Sequence, residues 1–198
     1  GIWNEYNDDT KSYDIIQDGD DFVVVGSIVL NNEKDILISK YNNSLNTLLW
    51  DTVWTNPGND EAYSIEIDNN GYIIAGYKTN IINGDKDIVI LNIQSNGENL
   101  EEINFISNGM QDEVANKVIS TSDDYFILVG YTSSFGSGGK DIYVVKFRDS
   151  LIEWEYTYGC ELDDIGNDIK ETFEGSNGGF IIGGKISNDS NSDAWLIK

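Results

Sequence analysis

The chain has 198 residues, with 35 Asp and Glu against 12 Lys and Arg and no His, giving a formal net charge of −23. That charge alone would favour disorder, but 39% hydrophobic and 12% aromatic residues suffice for a core. Without His, this chain alone cannot assemble a Ser-His-Asp triad, a Cys-His dyad or a His-ligated zinc or haem, and with Arg148 as its one Arg it would repel a nucleic-acid backbone.

At the start of the chain, GIWNEYNDD lacks the basic and apolar regions of a signal peptide, and no stretch approaches the roughly 18 apolar residues of a membrane span, so no membrane insertion is expected. Gly1 is expected to mark a trimmed or mature domain whose export signal has gone. The single cysteine, Cys160, permits no intrachain disulfide. The segment IWNEY from Ile2 reads as a strand that precedes the first full unit.

From there, similar elements recur about every fifty residues. FVVVGS from Phe22 is followed by DILISKY from Asp35 and LLWDTVW from Leu48. The next unit runs AYSIEID from Ala62, YIIAGY from Tyr72, DIVILNI from Asp87 and LEEINFI from Leu100. The third runs ANKVIST from Ala115, FILVGY from Phe126, DIYVVKF from Asp141 and IEWEYTY from Ile152, and the last holds FIIGGK from Phe180 and DAWLIK from Asp193. All are short, rich in Ile, Val and aromatics, and bounded by Asn, Gly, Asp and Ser, which is the signature of strands. Gly26, Gly76, Gly130 and Gly184 share one position.

Four strands per unit predict an all-β, four-bladed β-propeller with antiparallel blades at about 10–56, 60–108, 112–159 and 163–198, in a single domain spanning 1–198. The last unit lacks a fourth strand and Ile2–Tyr6 resembles Ile152–Tyr156, so residues 1–7 are expected to close the last blade beside 193–198 and remove an open sheet edge. A self-closed ring predicts a monomer; four blades that pair into a larger ring are the alternative.

The repeated motif resembles the propeller repeats of secreted and cell-surface proteins of bacteria and archaea, over the whole chain. The resemblance implies an extracellular or cell-surface location and a non-enzymatic module that binds a partner through loops on one face. The acidic pairs Asp8-Asp9, Asp60-Glu61, Asp112-Glu113 and Asp163-Asp164 and the strand-opening Asp35, Asp87, Asp141 and Asp193 should crowd that face. A protein with a basic patch, or a glycan, is the partner such a face would take. The bland reading of the same residues is that each Asp holds its own loop by accepting backbone N–H bonds.

Calcium is the candidate ion, on the D-x-N-x-D spacing of Asp189, Asn191 and Asp193 and the looser Asp85 and Asp87. Tyr77 and Tyr131, replaced by Ser27 and Lys185 in the other units, are candidate ligand contacts. Trp3, Trp50, Trp54, Trp154 and Trp195 read as packing between blades rather than as sugar platforms. Two alternatives stand beside the binding module: a glycoside hydrolase or lyase using two carboxylates about 5–10 Å apart, and a spacer domain of a larger surface protein.

Overall fold

The computed structural model describes residues 9–103, 109–173, 178–187 and 192–198, and among them every regular element is a β-strand. Four antiparallel sheets follow one another along the chain. The first holds β1 (Thr10–Asp18), β2 (Asp21–Leu30), β3 (Glu33–Tyr41) and β4 (Leu48–Trp54); the second β5 (Glu61–Asp68), β6 (Gly71–Thr79), β7 (Lys86–Gln94) and β8 (Glu101–Ile103). The third holds β9 (Glu113–Ser120), β10 (Phe126–Thr132), β11 (Asp141–Arg148) and β12 (Leu151–Tyr158); the fourth β13 (Ile165–Thr172), β14 (Gly179–Ser187) and β15 (Ser192–Ile197). Within each sheet the strands lie in chain order, as up-and-down blades do.

The shared glycine marks a close approach of backbones. The first strand of each sheet carries a bulge, at Tyr13, Tyr63, Asn116 and Asn167, directly after the residue that faces that glycine. A Cβ on Gly76 would sit 2.0 Å from the Glu61 carbonyl oxygen, and on Gly130 1.8 Å from that of Val114. No side chain fits there.

Each sheet presents one apolar face forward to the next blade and one back to the blade before. Val23, Val25, Ile36 and Ile38 pack against Ile65, Ile74, Val89 and Leu91. One blade on, Ile73, Ala75, Ile88 and Ile90 meet Val118, Leu128, Tyr143 and Val145. Ile127, Val129, Ile142 and Val144 then meet Ile169, Ile182, Trp195 and Ile197. Trp50, Trp54, Trp154 and Trp195 are half-buried against these layers, in the packing role expected of them; Trp3 lies outside the described residues.

Among the described residues the expected closure is not found. The fourth sheet has three strands, and β1 does not pack on β13 as β1 packs on β5, β5 on β9 and β9 on β13. The strand read as the closing one, residues 2–6, lies outside the described residues. Among the described residues the architecture is therefore a propeller-like succession of four sheets, and no closed sheet is found.

Candidate functional site

The acidic loops are built where one blade's last strand leads into the next blade's first. Pairing against the shared glycine fixes their alignment: Ser12, Ala62, Ala115 and Gly166 face Gly26, Gly76, Gly130 and Gly184. Counting back two residues aligns Thr10, Asp60, Glu113 and Asp164, and counting back three aligns Asp9, Asn59, Asp112 and Asp163. Aligning acid with acid in the sequence thus set Asp60-Glu61 one residue out of step with Asp112-Glu113 and Asp163-Asp164. Asn59 is the member it missed, because an amide does the work of the acid there.

The outer position clamps the preceding blade. Asn59 Oδ1 accepts the Lys34 N–H, Asp112 Oδ1 that of Lys86 and Asp163 Oδ1 that of Lys140, each at 3.0 Å. The backbone completes the clamp, with Asp60 N–H donating to Lys34 O and Asp164 N–H to Lys140 O. In the last three units the inner position is buried and holds its own blade. Asp60 Oδ1 accepts the Thr79 N–H at 2.9 Å, Glu113 Oε1 the Thr132 hydroxyl at 2.8 Å, and Asp164 the N–H groups of Ser187 and Cys160 at 2.9 and 2.7 Å.

The strand-opening Asp residues sit beside these groups. Asp35 and Asp141 are buried, and burial raises the pKa of each, with the charge of Glu33 adding at Asp35 and that of Asp164 at Asp141. Burial also pushes Asp60 up to about 6, helped by the charge of Asp35 and opposed by the Thr79 N–H and the Asn56 amide. At Glu61 burial acts in the same direction, but Lys34 at 2.6 Å and the hydroxyls of Tyr63 and Tyr13 outweigh it, and the pKa falls.

Most of the acidic set is therefore turned inward. Asp60, Glu61, Glu113 and Asp164 are buried and each bonds within the protein, which corrects their assignment to a binding face. Asp9 and Asp163 are exposed and Asp112 half-buried; Asp8 lies outside the described residues. Tyr77 and Tyr131 need the same correction. Both are buried, with the ammonium groups of Lys86 and Lys140 4.0 and 4.1 Å above their rings, so neither is offered to a ligand.

Of the calcium residues, Asp189 and Asn191 lie outside the described residues and Asp193 is exposed. Asp85 accepts from the Asn83 amide and Asp87 from that of Asn80, and among the described residues no three acidic, Cys or His side chains converge to hold a metal.

Close to the centre, where the first strands pack together, lies a polar set that shows no repeat in the sequence because its members differ in type. Asp14, Ser64, Lys117 and Asp168 each follow the bulge of a first strand. Asp14 Oδ2 accepts from Lys117 Nζ at 2.7 Å and from Ile65 N and Ser64 Oγ at 3.1 Å, while Ser64 Oγ accepts the Val118 N–H at 3.2 Å. Toward the opposite ends of the strands, a cavity of about 350 Å³ lined by Asp68, Asn92, Arg148 and Asp149 opens between the second and third blades. Arg148 is committed there, donating to the carbonyls of Asp123 and Asp124 with its guanidinium 3.9 Å from the Tyr125 ring.

Fold and loops together define an all-β, propeller-like protein whose repeated carboxylates fasten one blade to the next. Compared by sequence, no family model matches the chain, and neither does any curated protein. Compared by structure, it is similar to an acylaminoacyl peptidase of Pyrococcus horikoshii, with a TM-score of 0.52 and 10% identity over 96% of this chain and 31% of the peptidase chain. An acylaminoacyl peptidase in complex with Z-Gly-Gly-Phe-chloromethyl ketone is similar over the same shares, at a TM-score of 0.51 and 10% identity. The chain thus spans about a third of these peptidases.

That finding overturns the expectation of a stand-alone module binding a basic protein or a glycan through one acidic face, together with its glycosidase and spacer alternatives. The arrangement is one found within peptidase chains. The motif that suggested a surface repeat consists of the residues that lock blades together, and blades need locking wherever a propeller works.

Proposed function

We propose that this chain is the non-catalytic, propeller-type part of a peptidase-like hydrolase, and that its task is to hold an N-acylated peptide for a catalytic domain outside these 198 residues. The four sheets are then four blades of a β-propeller, and the place beside β15 takes a fourth strand like β4 or β12. The observation that carries this reading is the pair of coverages: nearly the whole of this chain corresponds to less than a third of an acylaminoacyl peptidase. Composition supports it. A chain without His supplies no histidine base for a Ser-His-Asp triad, so this reading assigns bond cleavage to the other domain.

The test pairs binding with turnover on the purified chain. N-acetylated peptides titrated into it should give saturable chemical-shift changes, while acetyl-alanyl p-nitroanilide should release no nitroaniline. Turnover by the chain alone, or no saturable binding of any acylated peptide, overturns the proposal.

A further inference from the structure

The two ends of the blade series expose apolar faces that every interior blade buries. Ile15 is 53% exposed, whereas its counterparts Ile65, Val118 and Ile169 are 0, 0 and 1% exposed. On the same backward face of the first blade, Phe22, Val24, Leu37 and Tyr41 are only half-buried; their counterparts Tyr72, Ile74, Val89 and Ile93 are no more than 1% exposed. At the other end, Leu196 is 72% exposed and occupies the forward position filled by Ile38, Ile90 and Val144, which are 0, 0 and 2% exposed. A solvated sheet face carries polar residues at alternate positions. The first blade kept the apolar residues of a blade joint on its backward face, and the last kept Ile181 and Leu196 on its forward face, with Gly183 and Ala194 at the positions of Val25 and Ile36.

We infer that a second copy of this chain covers both faces, the fourth blade of each copy packing on the first blade of the other to close a ring of eight blades. The joint is already drawn three times inside the chain, because the blades are near-repeats: a forward face of the type Val23, Val25, Ile36 and Ile38 fits a backward face of the type Ile65, Ile74 and Val89. Head-to-tail pairing makes that same joint twice and leaves no face open. Two copies make eight blades, at the upper end of the usual range of roughly four to eight, whereas three would make twelve.

The central polar set supplies the register. Asp14 accepts the Ile65 N–H and Ser64 accepts the Val118 N–H, each one blade ahead. Asp168, the last of the set, is exposed with Oδ1 on the Ile169 N–H, and its counterpart one blade ahead is the Ile15 N–H of the second copy, which within one chain is held by Asp14 Oδ1.

The experiment is sedimentation equilibrium on the whole chain at 0.15 M salt, with circular dichroism to confirm folding. A discrete species of twice 22.1 kDa is expected. Ile15→Asp and Leu196→Asp should each weaken association at least 100-fold, and Ile82→Asp, at a 92% exposed loop position, should leave it unchanged. Mixing the Ile15→Asp and Leu196→Asp chains should restore a dimer, because one of its two joints then has both faces intact. A wild-type monomer, whether open or closed on itself, overturns the inference. So does an open-ended series of larger species, or a dimer that neither substitution weakens. The result does not depend on whether the chain binds acylated peptides.

Discussion

Asp60 has one oxygen engaged by the Thr79 N–H, while Oδ2 is buried without a well-formed hydrogen bond. A carboxylate in that position is penalised when charged, hence its pKa of about 6 against an ordinary value of 3.8. Between those values the folded protein holds a proton that the unfolded chain has released, so this group's contribution to stability falls as pH rises from about 4 to about 6 and is flat above. The full cost is at most about 3 kcal/mol, from about 1.4 kcal/mol per pH unit. Asp60→Asn keeps an oxygen for the Thr79 N–H and removes the charge. It should be more stable than wild type at pH 8 by about 1–3 kcal/mol, with the gap closing by pH 4. Urea unfolding at several pH values reads this difference directly, and curves that run parallel from pH 4 to 8 would show that Asp60 does not titrate as its burial requires.

Each blade depends on the match between a bulged first strand and the glycine facing it. Gly76→Ala puts a methyl group 2.0 Å from the Glu61 carbonyl oxygen and 2.8 Å from the Ala62 Cα, both backbone atoms of a strand pinned on its other side by the second-to-third blade joint. Overpacking of this kind should cost about 1–3 kcal/mol, seen as a lowered urea midpoint with unchanged slope. Gly184→Ala should cost less, since its nearest contact is 2.5 Å, in the three-stranded last blade. Equal costs would mean that the interior blades yield as readily as the end one. The same register explains what was legible in the sequence. Strands and glycines repeat in both residue type and spacing, so the four sheets could be read directly. The acidic loops repeat in function but not in type, with Asn59 standing for an acid and Thr10 for Asp60, and matching by type slipped them by one residue. The central set of Asp14, Ser64 and Lys117 offered no signal, because its members share only a place beside a bulge. Ring closure was inferred from two matching strand sequences, but packing between the first and last blades decides it, and no strand pattern specifies that.

Over the whole molecule the excess of acid sets the response to ions. A net charge of −23 on 198 residues opposes the compact state through self-repulsion, and the five ion pairs found among the described residues neutralise only a few of those charges. Screening shortens from roughly 30 Å at 0.01 M salt to roughly 4–5 Å at 0.5 M, so added salt removes the long-range part of the repulsion while leaving close pairs such as Asp14–Lys117 largely intact. The melting temperature should therefore rise with sodium chloride by several degrees across that range, for wild type and for the association-deficient Leu196→Asp chain alike. Calcium tests a different term. With the Asp85 and Asp87 carboxylates taken up by neighbouring amides, and no trio of ligating side chains among the described residues, calcium should act by charge alone. Thermal melts in calcium and in magnesium at matched ionic strength should then coincide. An excess shift in calcium, reversed by chelator, would instead reveal a site that binds the folded state selectively and grows with the logarithm of the ion concentration.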